Sequence, residues 1–321
     1  MAKDNIVIVG SGGAGVLLAS QLSSNVDNSK YNVILVSPGG RHLVMPSLIR
    51  MVVTDDDNLE ERAVLPLSEM FSGKVEVKIG KVVKIEDGEE PGSGGSVALE
   101  NGEQVTYRIL VLATGSVFEG PLALPDSYAD ILDHVKQWRS KFAKASHVAI
   151  VGAGSVGLEF AGEIKDYYPR TKVTIIHADI LPLNSAYPGP RPNTQYLKTL
   201  GGDVLDEQDR VKVLQTLQVE GHPDIFAAGD ILSFKEEKQL AKVEGHVRTI
   251  VPNILALLRG NDPVESYKGT FEVIGITNGK RGGILYAGLL WGIVLGDMVV
   301  RALKSKDLFV SMTRKAYGLS G

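Results

Sequence analysis

Twice in 321 residues the chain runs from an apolar strand into a turn of the form G-x-G-x-x-G and on into a helix. The first copy is NIVIVGSGGAGVLLASQL, with Gly10, Gly12 and Gly15; the second is HVAIVGAGSVGLEFAGEI, with Gly152, Gly154 and Gly157. The spacing has a physical reason. The first glycine permits a tight turn, the second lets the backbone approach a pyrophosphate, and the third lets the helix pack close against its strand. The helix that follows points free N–H groups and a positive dipole end at the phosphates. Each copy then continues into another strand, YNVILVS at 31–37 and KVTIIH at 172–177. Two such openings imply an α/β chain with parallel sheet and two dinucleotide sites.

The end of the second strand in such a unit normally carries an acidic residue that holds the ribose hydroxyls. Here the first copy has Ser37 and the second has His177. Ser37 can still make one ribose hydrogen bond, or it is simply a strand end. At His177 a glutamate would repel a 2′-phosphate and an arginine would attract it. Histidine leaves NADH and NADPH both open, leaning towards tolerance of the phosphate.

Between the two copies, alternating apolar residues around 75–85, 97–100 and 104–112 predict an antiparallel meander, with DGEEPGSGGS as a solvated hairpin tip. ILVLATG ends a buried strand at Thr114 and Gly115, where a small turn can run close to a ligand. Further on, DIFAAGDI sets Gly229 and Asp230 after another short strand. Ahead of a helix, Asp230 reads as an N-cap.

Several function classes drop out. The chain has no cysteine, so disulfides, thiolate metal sites, iron-sulfur clusters and dithiol relays are excluded, and redox chemistry needs a bound cofactor. A net charge of -4 offers no basic field, so no nucleic-acid partner is expected. The six histidines have no metal-ligand spacing, so no metal is expected. YPRTK at 168–172 has the Y-x-x-x-K spacing of short-chain dehydrogenases, but Pro169 forbids the single helix face that pair needs. MAKD runs directly into the first strand without a signal-peptide pattern, so the expected location is cytoplasmic. The longest apolar run, Ile284–Gly296, is shorter than the 18 or so residues of a spanning helix and reads as a buried strand or helix. A second reading, fed by the basic Arg301, Lys304 and Lys306, is a surface that leans on a membrane such as that of the mitochondrion or a lipid droplet.

Taken in order, GSGGAG, LATG, GAGSVG, RPNT and AAGD resemble the two-dinucleotide-binding flavoprotein reductases. Without cysteine, the chain looks like their apoptosis-inducing-factor-like and ferroptosis-suppressor group, related to the type II NADH dehydrogenases. The tail from GKRGG to KSKDLFVSMTRKAYG is similar to that group's carboxy-terminal part. The resemblance implies an FAD-dependent NAD(P)H oxidoreductase with a quinone or similar acceptor. Gly10, Gly12, Gly15, Thr114, Gly115 and Asp230 would hold FAD, with Asp230 on the ribityl chain. Gly152, Gly154 and Gly157 would hold NAD(P)H. Glu159, taken as lying on the first turn of the second helix, would neighbour the nicotinamide, or would simply favour a helix amino terminus.

The expected layout is an FAD-binding domain in two pieces, 1–143 and 218–321, around a Rossmann-like NAD(P) unit at 144–217. Only 13 residues separate His177 from Arg191, so LNSAYPGPRPNT at 183–194 looks like a junction where about half a doubly wound unit is absent. An NAD(P) unit truncated in this way should be compromised. The alternative function is therefore a flavin-binding regulatory protein that takes hydride poorly. The run KQLAKVEGHVRTIVPNILALLRG predicts a helix bent or broken near Pro252.

Overall fold

A run such as IVIV or ILVL has no polar side to turn to water, so it is stable only as a strand covered on both faces. The computed structural model describes residues 2–90, 92–183, 191–201, 203–288 and 292–319. In chain order its parallel strands are β1 (Asp4–Val9), β2 (Tyr31–Ser37), β3 (Glu76–Ile79), β4 (Ile109–Leu112), β5 (His147–Val151), β6 (Lys172–Ile176) and β7 (His222–Ala227). The four longest helices are α1 (Gly13–Asn25), α2 (Tyr128–Lys144), α3 (Ser155–Tyr167) and α4 (Leu240–Leu258). No helix among the described residues is long and apolar enough to cross a membrane.

The chain divides into two compact units, one made of 1–42, 66–117 and 190–270, the other of 43–65, 118–189 and 271–321. These limits differ from the segments 1–143, 144–217 and 218–321 drawn on sequence. Residues 43–65 and 271–321 group with the second glycine turn, and 191–217 group with the first. A linear reading assigns neighbours in sequence to one domain, whereas contacts made by folded segments follow the sheets.

The first unit is built on a sheet in the order Gln218–Val219, β7, β4, β1, β2, β3, in which only the Gln218–Val219 edge is antiparallel. Ile6 of β1 lies level with Val33 of β2 and Ile109 of β4, and Phe226 of β7 with Val111. Helix α1 buries Ala14, Val16, Leu18 and Leu22; α4 buries Val243, Val247, Ile250 and Ile254. The expected meander is present but shorter. Val82–Asp87, Gly95–Leu99 and Gln104–Tyr107 pair antiparallel, while β3 and β4 on either side belong to the parallel sheet. Alternation and continuous apolarity merge at the ends of such a segment, which hides the change of partner.

Helix α4 runs unbroken through Pro252. Its buried stripe outweighs the backbone hydrogen bond that proline forfeits. The next residue, Asn253, is fully buried, and its amide makes four hydrogen bonds. Nδ2 donates to the carbonyls of Thr216 and Glu265, and Oδ1 accepts from the amides of Val264 and Glu265.

The second unit holds the parallel pair β5 and β6, two-stranded among the described residues. Phe142 of α2 stacks on Trp138 and meets Phe160 of α3 edge-on, at ring distances of 5.7 and 5.4 Å. A three-stranded antiparallel sheet, Val273–Asn278, Gly282–Ala287 and Ile293–Leu295, completes the unit. The apolar run from Ile284 thus forms two strands, but Ile284 and Val294 are exposed, so it is not the covered element its composition suggests. Val151, at the end of β5, is 83% exposed. Residues 184–190, the core of the predicted junction, lie outside the described residues.

Helix α3 is tied into this unit by two buried carboxylates one turn apart. Glu163 takes two hydrogen bonds from Arg50, from Nε at 2.8 Å and Nη2 at 2.9 Å, and both side chains are 0% exposed. Arg50 also donates to the carbonyls of Ser305 and Lys306. Burial opposes its charge, yet the bonds to Glu163 and that residue's charge outweigh burial and raise the Arg50 pKa above the ordinary value.

Candidate functional site

In an open parallel sheet the ligand site lies beyond the carboxyl ends of the strands. That edge of the first unit collects Gly10 after β1, Ser37 ending β2, Thr114 and Gly115 after β4, and Gly229 and Asp230 after β7. The glycine turn is dictated by close approach. Gly10 has φ +109°, and a side chain there would strike the Ala113 carbonyl; a side chain at Gly15 would strike the carbonyl of Gly10 itself. Over Gly12 the space is open, no side chain caps α1, and its first turn holds no acidic residue. Such a helix end suits a pyrophosphate, with unshared amides and a positive dipole end.

The turn is braced from below. Ser11 Oγ donates to the Arg41 carbonyl and accepts from Ser37 Oγ at 2.8 Å. His42 Nδ1 donates to the Ser11 carbonyl at 2.8 Å, which fixes its proton on that nitrogen. Burial holds the His42 imidazole below the ordinary histidine pKa, with the Ser11 bond opposing. Ser37 is 1% exposed. Ser37, read on sequence as a ribose contact or a strand end, has its hydroxyl bonded to Ser11.

On the other side of the edge, Arg191–Pro192 pairs antiparallel with Ser116–Val117. Thr114 Oγ1 donates to the Asn193 carbonyl at 2.7 Å, and the Asn193 amide donates to the Gly115 carbonyl at 2.8 Å. The LATG motif at 112–115 and the RPNT motif at 191–194, at least 76 residues apart in sequence, are therefore one local structure. Tyr196 closes it, its hydroxyl 3.1 Å from Thr114 Oγ1 and its ionisation suppressed by burial. Asp230 is not a helix N-cap here. It sits in a 3-10 turn, and Oδ2 accepts from Ser116 Oγ at 2.7 Å.

The second turn repeats the first closely. Gly152 also has φ +109°, a side chain at Gly157 would strike the Gly152 carbonyl, and the space over Gly152 and Gly154 is open. Helix α3 likewise has no side-chain cap and no acid in its first turn. Two of the expected site residues make bonds within the chain. His177 Nδ1 accepts from the Ala153 amide at 3.2 Å, while Nε2 donates to the Leu181 carbonyl at 2.9 Å, so both ring nitrogens are engaged by the chain itself. Glu159 lies beyond the first turn of α3 and is 6% exposed; its Oε1 accepts from Lys304 Nζ at 2.6 Å and from the Thr277 amide at 2.9 Å. Lys304 is thereby drawn inward and leaves the basic surface stretch that sequence assigned to it. Sequence reasoning missed Arg50, His42 and His246. None lies in a glycine motif, and what marks them is burial together with the bonds they make, to Glu163, the Ser11 carbonyl and the Gly229 amide respectively.

A model of the pyridine nucleotide-disulphide oxidoreductase family matches residues 4–188, across both glycine turns. The chain belongs to that family. FAD-dependent oxidoreductase FVFD30 of Flammulina velutipes is 36% identical over 322 residues, covering 84% of this chain and 100% of the relative. Ferroptosis suppressor protein 1 of Homo sapiens is 26% identical over 378 residues, covering 97% and 95%. The resemblance to the apoptosis-inducing-factor-like and ferroptosis-suppressor group is borne out. A 378-position alignment that covers 97% of 321 residues leaves more than sixty positions without a residue in this chain. Among solved structures, the sulfide:quinone oxidoreductase of Aquifex aeolicus superposes with a TM-score of 0.73 at 15% identity, covering 98% of this chain and 92% of that one, which establishes the likeness of fold.

Proposed function

We propose that the chain is an FAD-dependent NAD(P)H oxidoreductase that delivers electrons to a quinone or similar small acceptor. The observation that carries this reading is the uncapped, acid-free start of α1 beneath open space at Gly12, in a family of nucleotide-dependent oxidoreductases. When bound, FAD supplies the relay between a two-electron nicotinamide donor and the acceptor. Gly10, Gly12 and Gly15 shape the turn that receives the pyrophosphate, with Ser37 and His42 holding it from behind. Asp230 offers a carboxylate to the ribityl hydroxyls, steadied by Ser116, and Thr114 and Gly115 line the floor with the Asn193 segment. Gly152, Gly154 and Gly157 give NAD(P)H a second phosphate turn. The name of a structural neighbour, a sulfide:quinone oxidoreductase, supports the choice of acceptor class. Exposed Met298 and Leu303, with Arg301 and Lys306 nearby, support a peripheral contact with a membrane surface.

A second reading, a flavin-binding protein with a weakened NAD(P)H site, is favoured by specific observations. Ala153 is engaged on both sides, its amide by His177 and its carbonyl by the amide of Leu183. Besides this, β5 and β6 stand as a pair among the described residues, and the alignment to the Homo sapiens relative leaves more than sixty positions without a residue in this chain. Stopped-flow mixing of FAD-loaded protein with NADH or NADPH separates the two. Rapid bleaching of the visible flavin band supports the oxidoreductase, and no bleaching at millimolar nucleotide refutes it. A folded protein that takes up no FAD refutes both.

A further inference from the structure

Helix α4 carries a histidine that no glycine motif predicts. His246 is 2% exposed, yet both ring nitrogens are satisfied. The amide of Gly229 points at Nδ1 at 3.2 Å, and Glu236 Oε1 lies 2.9 Å from Nε2. An amide can only donate, so Nδ1 must carry its lone pair and Nε2 its proton. Glu236 accepts that proton's bond, and its other oxygen accepts from Tyr267 Oη at 2.6 Å. The Tyr267 ring then packs edge-on against the imidazole at 4.7 Å. The loop between Asp230 and α4 is held further by Lys238, whose ammonium donates to the carbonyls of Leu232 and Phe234.

The bond made by Nδ1 reaches the turn that matters. Gly229 has φ +80°, a conformation open to glycine and strained for other residues, and it immediately precedes Asp230. Glycine opens several arrangements to a turn of that kind, and the buried bond from the Gly229 amide to Nδ1 helps hold this one. We propose that His246 is a positioning residue for the cofactor. Its Nδ1 lone pair locks the Gly229 turn so that Asp230 is presented in register with Ser116, and Glu236 with Tyr267 keeps the imidazole in the one tautomer that can do so. The inference rests on the flavin reading of the first unit. It goes beyond it by placing control of the Asp230 carboxylate in a residue that does not itself touch the ligand.

The test exploits the two amide side chains that imitate the two ring nitrogens. His246→Asn keeps an acceptor near the place of Nδ1; His246→Gln can reach Glu236 but leaves the Gly229 amide without a partner. FAD affinity is measured by quenching of flavin fluorescence on titration into apoprotein, with the visible circular dichroism of the bound flavin as a second readout. A buried amide left unpaired weakens a dependent equilibrium by about tenfold or more. H246Q is therefore expected to bind FAD at least about tenfold more weakly with an altered flavin dichroism, and H246N to stay within about threefold of the native protein. Nitrogen-15 spectra of the histidine rings in native apoprotein are expected to show His246 protonated at Nε2 and bare at Nδ1. The proposal is overturned if both variants bind like the native protein, if both weaken FAD binding equally, or if His246 carries its proton on Nδ1. Should H246Q fail to fold, H246N and the nitrogen spectra decide alone. A folded native protein that takes up no FAD refutes the flavin reading and the ligand named here together, whereas native binding with insensitive variants refutes only the role of His246.

Discussion

Replacing Arg50 with methionine should cost the second unit a large part of its stability, because of what it leaves behind. The guanidinium is 0% exposed and makes four hydrogen bonds, two to Glu163 and one each to the carbonyls of Ser305 and Lys306. Methionine fills much of the space but abandons the Glu163 carboxylate in a fully buried site. Breaking one side of a buried pair costs about 3–5 kcal/mol, and two stranded carbonyls push the figure to the upper end. Set against a typical domain stability of about 5–15 kcal/mol, that loss is large. Arg50→Met with Glu163→Met removes both charges, and a pair deleted together is often neutral within a few kcal/mol, so the double variant should recover most of the loss. Equilibrium urea unfolding reads this out, in a Trp291→Phe background so that Trp138, stacked on Phe142, is the sole indole. A single variant within about 1 kcal/mol of the parent, or a double variant no better than the sum of the singles, would refute the reasoning.

Gly12→Asp meets no neighbour and suits the start of α1, so melting should hold or rise slightly while FAD binding falls by about a hundredfold or more through phosphate repulsion; weaker folding with intact binding would contradict the assignment. Gly154→Asp should do the same at the second turn, abolishing flavin reduction by NAD(P)H without loss of FAD, checked by stopped-flow absorbance. Glu159→Gln should lower the unfolding free energy by about 1–3 kcal/mol, since Lys304 and Thr277 lose a charged acceptor, with little change in the rate of flavin reduction; a large rate loss in a stable variant would restore a role beside the nicotinamide. His42 has a folded pKa below its unfolded value, so the unfolded state binds the extra proton. Its contribution is complete above about pH 6.5 and is lost as pH falls from there towards the folded pKa. Thermal melts between pH 5 and 8, roughly the histidine range, should show a shallower slope for His42→Asn than for the parent.

Both glycine turns were legible to the residue, because the constraint on them is steric and local. Gly10 and Gly152 adopt the same φ, and Gly15 and Gly157 each meet the carbonyl of the first glycine of their own turn. The roles of side chains were less legible. Ser37, His177 and Glu159 are expected on sequence to meet a ligand, and each has a partner within the protein: Ser11, Ala153 with Leu181, and Lys304 with Thr277. Whether a polar group faces a ligand or the protein depends on distant residues, and one sequence gives no sign of that choice. The grouping of 43–65 with 118–189 was hidden for the same reason, since the buried Arg50 that binds Glu163 sits in a stretch without any motif.

The four-way amide of Asn253 does the work of a short strand for residues 262–267, a stretch that has no regular structure of its own. Hydrolysis of that one side chain to a carboxylate would swap two donors for negative charge facing the oxygens of Thr216 and Glu265. The connection behind α4 therefore depends on that amide staying intact, and its burial within a helix, ahead of the β-branched Ile254, protects it from hydrolysis.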